Sequence, residues 1–140
     1  MGKVQILAVL TMDGCLSSEL YDKAHQDLCL DRCGLDEIRN KALYRVTPDY
    51  SISMLHEWRK DGTNIRYLAE ATPDTADYIN GLLRMHAVDE IILYTVPFIS
   101  GSGRHFFKSA LPEQHWTLSS LKSYSNGVCR IIYILDKKAR

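Results

Sequence analysis

The chain has 140 residues, of which 46% are hydrophobic and 24% charged, and its net charge is zero. This length and composition suit one globular domain, residues 1–140, with a sizeable core. The balanced charge argues against non-specific binding to nucleic acid or an anionic membrane, and no apolar stretch approaches the roughly 20 residues that cross a bilayer. Four cysteines are too few for a disulfide scaffold, so we expect a reduced, cytoplasmic protein.

Predicted strands and helices alternate along the chain, which ends in a predicted hairpin. This alternation implies parallel strands with right-handed crossovers. We therefore predict an α/β fold with a mixed, mostly parallel sheet flanked by helices and a C-terminal antiparallel hairpin. In chain order, the predicted elements are a strand at Val4–Met12, a helix from Glu19 to about Cys29 or Lys41 with a break at Gly34, a strand at Leu43–Thr47, a helix ending at Lys60, a strand at Asn64–Ala69, a helix after Thr72, a strand at Val88–Val96, and a hairpin of Trp116–Leu121 with Val128–Leu135.

Each predicted helix has a candidate residue at its start. Ser18 suits the N-cap of the first helix, and Ser51 or Ser53 suits that of the second, which stops before Asp61-Gly62. Thr72 is the predicted N-cap of the third helix because a proline follows it at the first helical position.

The most informative segment begins with the strand Val88–Val96. Its β-branched residues follow the acidic pair Asp89-Glu90 and suit a half-buried sheet. Pro97 marks the end of regular pairing. Gly101 and Gly103 then permit positive φ and close approach of backbone.

This segment resembles the signature of the dihydrofolate reductase-like superfamily, a Val-Asp-Glu strand followed by Pro-x-x-x-Gly-x-Gly-x-x-Phe. The closer similarity is to the reductase domain at the C-terminus of bifunctional riboflavin-biosynthesis proteins. Val4–Ser18 looks like the family's first strand and Asp-Gly loop, and Ser125–Tyr133 looks like its closing hairpin. The resemblance implies a dihydrofolate reductase-like fold and NADPH-dependent hydride transfer to a pteridine- or ribosylated-pyrimidine-like small molecule.

By the same resemblance, three loops at the carboxyl ends of strands surround cofactor and substrate, as is usual for open α/β sheets. The loops are Thr11–Leu16, Glu70–Thr75 and Pro97–Gly103. Asp13 and Glu70 are the expected catalytic residues, which contact substrate or deliver a proton. For Asp13 the alternative is a turn aspartate that binds its own backbone. The expected substrate contacts are Thr11, Gly14 and Arg104, with His105 as a further cationic candidate.

The predicted phosphate loop departs from the family pattern. Riboflavin reductases carry Glu-Gly-Gly where this chain has Glu70-Ala71-Thr72, and the Gly-Arg-x-Thr segment has no counterpart within Leu30–Thr47. Arg39 or Arg45 are candidate replacements, while Asp74 would oppose a phosphate. The expected cofactor contacts are backbone groups at a helix N-terminus and in a glycine-rich nest, namely Ala71, Thr72, Thr75, Gly101, Ser102 and Gly103.

Two other hypotheses remain open. The altered loop is compatible with a non-catalytic ligand-binding or assembly module that keeps the reductase fold. His25, Cys29 and Cys33 share one helical stripe but span about 12 Å, so one metal ion cannot touch all three, and we expect no metal site. The resemblance alone implies homodimerisation through the sheet edge or the closing hairpin.

Overall fold

The computed structural model describes residues 2–16, 33–60, 64–99, 101, 104–108 and 110–136, and only the backbone of Arg104. Several predicted features lie outside the described residues. They are the Ser18 cap and the helix from Glu19, the candidate ligands His25 and Cys29, the Asp61-Gly62 stop, and the nest residues Ser102 and Gly103.

The described residues form eight strands and three helices. The strands are β1 (Lys3–Leu10), β2 (Cys15–Leu16), β3 (Tyr44–Arg45), β4 (Arg66–Glu70), β5 (Glu90–Thr95), β6 (Arg104–His105), β7 (Trp116–Ser123) and β8 (Cys129–Leu135). The helices are α1 (Leu35–Lys41), α2 (Ile52–Lys60) and α3 (Ala76–Arg84). Among the described residues, none of these helices has the length and apolar character needed to cross a membrane.

Six strands form one sheet in the order β3-β4-β1-β5-β8-β7. The pairs β3–β4, β4–β1 and β1–β5 are parallel, whereas β5–β8 and β8–β7 are antiparallel. The predicted fold class, a mostly parallel mixed sheet with helices and a C-terminal antiparallel hairpin, is therefore confirmed. A separate two-stranded ribbon of β2 and β6 was not predicted, because two-residue strands carry no periodicity.

Both faces of β1 are buried, as its continuous apolar sequence predicts. Val4, Ile6 and Ala8 pack with Leu55 of α2 and the apolar side of α3. Leu7 and Val9 pack on the opposite face, where α1 covers the sheet. The sheet thus separates an α1 side from an α2/α3 side, and this division places the cavities described below.

The predicted N-caps can be compared with the structure at the starts of α2 and α3. The Ser51 hydroxyl accepts a hydrogen bond from the Met54 backbone N–H at 3.2 Å, so Ser51 rather than Ser53 caps α2. The prediction of Thr72 as the N-cap of α3 is wrong, because α3 begins at Ala76 with Thr75 at the N-cap position. Residues 73–75 instead form a turn in which the two threonines bond to each other.

The C-terminal hairpin turns where the sequence predicts. The Tyr124 N–H donates to the Val128 carbonyl at 2.9 Å, and the Gly127 N–H donates to the Tyr124 carbonyl at 3.0 Å. Gly127 has φ of 90°, and a Cβ there would lie 3.1 Å from Cγ of Pro97. Glycine therefore allows the hairpin tip to pack on the loop that follows β5.

Candidate functional site

The loops after β1 and β5 are joined at the carboxyl edge of the sheet. The Met12 N–H donates to the Phe98 carbonyl at 2.7 Å, and the Gly101 N–H donates to Oδ2 of Asp13 at 3.0 Å. Gly101 has φ of 72°, a conformation that glycine adopts without strain. Residues 11–14 therefore join residues 96–99 and 101 in one hydrogen-bonded rim next to the end of β4.

Asp13 organises this rim. Its Oδ1 accepts a hydrogen bond from the hydroxyl of Thr11, and its Oδ2 holds Gly101. Thr11 is buried, and its hydroxyl oxygen also accepts the Cys15 N–H at 2.9 Å. Gly14, with φ of 77°, closes the turn by donating to the Thr11 carbonyl at 3.0 Å. The structure thus brings Thr11, Asp13 and Gly14 together, and their roles toward substrate stay a prediction.

Glu70 ends β4 within reach of two arginines. Arg39 of α1 forms a hydrogen-bonded ion pair with Oε1 of Glu70, and Nη1 of Arg45 lies 3.3 Å from Oε2. The Glu70 side chain is 20% exposed, so these attractions act partly away from water. The candidate phosphate ligands Arg39 and Arg45 therefore contact the candidate catalytic carboxylate.

The loop before α3 satisfies many of its own backbone donors. The Ala71 N–H donates to the Leu7 carbonyl at 2.7 Å. The Thr72 N–H donates to the Thr75 hydroxyl at 2.8 Å, and the Thr75 N–H lies 3.3 Å from the Thr72 hydroxyl oxygen. In this conformation, Ala71, Thr72 and Thr75 direct their N–H groups within the protein and do not fit a phosphate.

A cavity of about 300 Å³ lies beside this loop on the α3 side of the sheet. The first turn of α3 forms one wall, where backbone N–H groups have no intrahelical partner. Side chains of both charge signs line it, so a phosphate there would meet one ammonium group and one opposing carboxylate. The lining residues are Leu16, Pro73, Ala76, Asp77, His105 and Lys108.

Asn80 fixes the chain that carries Lys108. This fully buried side chain donates to the Phe106 carbonyl at 2.8 Å and accepts the Lys108 N–H at 3.0 Å. Neither Asn80 nor Lys108 is predicted from the sequence as a site residue. One feature of the sequence points to Asn80: it is a polar residue between Ile79 and Leu82 on the apolar side of α3. Because buried amides are normally hydrogen-bonded, a polar residue at such a position is expected to hold another part of the chain.

The remaining predicted site residues are placed only in part. The backbone of Arg104 pairs with Leu16 in the β2–β6 ribbon, so it lies beside the cavity. Among the residues that the structure describes, no cluster of three or more His, Cys, Asp or Glu side chains has the geometry of a metal site. Cys33 is buried in the α1-side core.

Comparison with protein-family models identifies one match, the RibD C-terminal domain, over residues 74–130. This segment contains α3, β5, β6, β7 and the start of β8, and so includes the predicted Val88–Val96 strand and the glycine-containing loop. The resemblance inferred from the sequence is thus confirmed. A comparison with curated proteins found no match.

Solved structures share the fold over nearly the whole chain. A protein assigned to riboflavin biosynthesis from Shewanella sp. PV-4 is 11% identical with a TM-score of 0.63, and the match covers 96% of this chain and 99% of that one. A pyrimidine reductase-like protein from Corynebacterium diphtheriae is 12% identical with a TM-score of 0.55, covering 96% and 92%. RibD from Acinetobacter baumannii is 13% identical with a TM-score of 0.56, covering 97% of this chain and 58% of that one. The chain is therefore riboflavin-biosynthesis reductase-like in fold.

Proposed function

We propose that this protein is a cytoplasmic NADPH-dependent reductase that transfers hydride to a pteridine- or ribosylated-pyrimidine-like small molecule. The observation that carries the proposal is the joining of residues 11–14 to residues 96–99 and 101 at the carboxyl ends of β1 and β5. Ligands of open α/β sheets bind at this edge. The match of residues 74–130 to the RibD C-terminal domain supports the same reaction class.

When bound, NADPH supplies the hydride, and the protein positions the reactants and manages protons. The cavity beside α3 is the best fit for a cofactor phosphate, because Lys108 and the first turn of α3, at Ala76 and Asp77, line it. The Asp77 carboxylate opposes the phosphate charge, so the expected affinity is moderate. Gly101, Ser102 and Gly103 remain predicted cofactor contacts.

Asp13 and Glu70 have different proposed roles. Asp13 lies in the rim between β1 and β5, where it orients substrate while it holds Gly101. Glu70 is paired with Arg39 and Arg45, so it fixes two guanidinium groups at the carboxyl end of β4. Thr11, Gly14 and Arg104 complete the proposed substrate contacts.

A second candidate function is a non-catalytic ligand-binding or assembly module that retains the reductase fold. The reciprocal bonding of Thr72 and Thr75 favours it, because this loop turns its donors inward. Such a module would bind a small molecule or a partner without hydride transfer.

Homodimerisation is part of the proposal. β7 is an edge strand of the six-stranded sheet and exposes Leu118 and Leu121, which are 53% and 62% accessible. Exposed edge strands with apolar side chains are sites where another chain can pair. A second copy adding to β7 would cover both leucines.

The first test measures NADPH binding to the purified protein by calorimetry and by energy transfer from Trp58 and Trp116. NADH serves as the comparison ligand. Micromolar binding with a preference for NADPH supports the reductase, and a screen of pteridine and ribosylated-pyrimidine substrates then follows. Binding without oxidation of NADPH in that screen favours the module. Absence of binding at millimolar NADPH would sink the reductase proposal.

A further inference from the structure

A second cavity, of about 330 Å³, lies on the α2/α3 side of the sheet, at the edge that β3 forms. Tyr44 of β3 and Tyr67 of β4 are register partners near the amino ends of these strands, and Ile65 immediately precedes β4. The proposed reductase site lies at the carboxyl ends of the strands, so the two sites are separate. We name this cavity the aromatic cavity, and its lining consists of Tyr44, Tyr50, Trp58, Ile65 and Tyr67.

The rings in this lining lie in two orientations. Tyr67 stacks on Tyr44 with centroids 5.6 Å apart and planes at 11°, and on Trp58 with centroids 5.5 Å apart and planes at 19°. The Tyr50 ring stands at 72° to the Trp58 ring, with centroids 5.6 Å apart. A planar ring inserted between two parallel rings needs a centroid separation of about 7 Å, twice the van der Waals contact distance. The stacked pairs therefore leave no slot for a planar heterocycle, whereas Tyr50 and Trp58 form a corner that suits a compact group.

The chemistry of the lining favours a cation that makes no hydrogen bonds. Four of the five lining residues are aromatic, and their ring faces carry partial negative charge. Among the residues that the structure describes, no charged side chain lines the cavity. A primary ammonium group brings three donors that need acceptors, whereas a quaternary ammonium group has no N–H and is attracted to ring faces directly. A carboxylate on the same ligand would find no cationic partner in this lining.

The aromatic walls are held by contacts outside the cavity. The backbone carbonyl of Tyr50 accepts a hydrogen bond from the Tyr78 hydroxyl at 2.7 Å. Gly2 packs behind the other wall, where a Cβ would lie 2.9 Å from the carbonyl oxygen of Trp58 and 3.1 Å from Cε2 of Tyr67. Because the walls are positioned without a ligand, binding requires little ordering of side chains.

We propose that the aromatic cavity binds a free small molecule with a quaternary ammonium group and no carboxylate, of the choline type. Its volume lies at the lower end of the roughly 300–1,000 Å³ usual for ligand sites, which suits a compact ligand. Tyr44 is 48% exposed and Tyr67 is 4% exposed, so the lining extends from solvent to the core.

The test uses choline as the probe, with calorimetry on the full-length protein and quenching of Trp58 fluorescence as a second readout. Dimethylbutanol matches the shape of choline but has a neutral carbon in place of the nitrogen, and ethanolamine carries a primary ammonium group. We expect saturable binding of choline and about tenfold weaker binding of both matched ligands. NADPH binding is measured in parallel and is expected to be unchanged by choline, so failure of the reductase proposal would leave this result intact.

Variants of the lining separate the ring from its bulk. Tyr44→Leu changes the most exposed wall and should weaken choline binding about fivefold, whereas Tyr44→Phe keeps the ring and should bind within about twofold of wild type. Trp58→Phe replaces the ring with the strongest attraction for a cation and should also lower affinity. Tyr133→Leu on β8 is the matched control, because Tyr133 is a partly buried tyrosine outside the lining.

Three outcomes would overturn the proposal. Equal affinities for choline and dimethylbutanol would mean that the cavity accepts apolar bulk without regard to charge. The same conclusion against the proposal follows from no saturable binding at millimolar choline, or from choline binding unchanged in both Tyr44→Leu and Trp58→Phe. Binding to phosphatidylcholine vesicles without binding of free choline would contradict the assignment of a small-molecule ligand.

Discussion

Asp89 joins α2 to the beginning of β1 through its carboxylate, whose Oδ1 accepts a hydrogen bond from Nη2 of Arg59 at 2.5 Å. Its Oδ2 lies 2.9 Å from Nε of Arg59 and 2.9 Å from the backbone N of Val4. Arg59 also donates from Nη1 to the His86 carbonyl at 2.9 Å. The acidic residue of the Val-Asp-Glu motif therefore has a structural role far from the carboxyl edge of the sheet.

We expect Asp89→Asn to destabilise the protein by about 3 kcal/mol, because it leaves the Arg59 guanidinium without its charge partner in a site where both side chains are only 10–11% exposed. Urea unfolding measures this change. Asp36→Asn is the matched control, since Asp36 lies 4.0 Å from Arg39 and is 57% exposed, and it should cost less than about 0.5 kcal/mol. Equal effects of the two variants would contradict the assigned role of Asp89.

Lys108 should contribute to NADPH binding if its cavity holds a cofactor phosphate. We expect Lys108→Gln to raise the Kd for NADPH about tenfold, which corresponds to the loss of one charge-assisted hydrogen bond of about 1.4 kcal/mol. Lys122→Gln on β7 is the control and should leave the Kd unchanged. Calorimetry at low salt gives both values, and a Kd for Lys108→Gln equal to wild type would place the phosphate elsewhere.

Tyr94 should make stability depend on alkaline pH. Its hydroxyl donates to the Cys33 carbonyl at 2.7 Å, and burial raises the pKa of Tyr94 from about 10 to about 12, although the positive charge of Arg130 acts in the opposite direction. Because the folded-state pKa is raised, the neutral phenol stabilises the fold fully below about pH 10, and this contribution is lost as pH rises through about 12. Two pKa units correspond to about 3 kcal/mol.

Tyr94→Phe is therefore expected to cost about 1 kcal/mol at neutral pH, through the lost hydrogen bond, and to flatten the fall in stability between pH 10 and 12. Chemical denaturation across that range is the measurement. Tyr124→Phe is the comparison, since Tyr124 donates to the same carbonyl at 2.8 Å, and burial raises the pKa of Tyr124 as well. An alkaline slope unchanged in Tyr94→Phe would refute the assignment.

The proposed homodimer predicts a specific effect at β7. Leu121→Lys should shift the protein toward monomer in light scattering, because a charge on the paired edge opposes association. Leu43→Lys is the control, because Leu43 is similarly exposed, at 65%, but precedes β3 at the other edge of the sheet. A wild-type protein that is monomeric at all concentrations would exclude the dimer.

The candidate site was only partly predictable from the sequence. Asp13 and Gly14 follow an apolar strand, so their place at the carboxyl edge follows from local pattern. That Asp13 binds Gly101, and that Arg39 and Arg45 both reach Glu70, depends on which strands become neighbours. Helix α3 begins later than predicted because the reciprocal hydrogen bonds of Thr72 and Thr75 compete with the helix for the same backbone groups.

The sequence by itself determined the alternation of strands and helices, the turn at Gly127 and the resemblance of the Val88–Val96 segment to riboflavin reductases. These features rest on periodicity, turn chemistry and local motif, which act over a few residues. Only the tertiary structure decided the position of Lys108 through Asn80, and the meeting of Tyr44, Trp58 and Tyr67 in one cavity. Such contacts join residues distant along the chain, and their energies depend on strand order and burial, which no local pattern specifies.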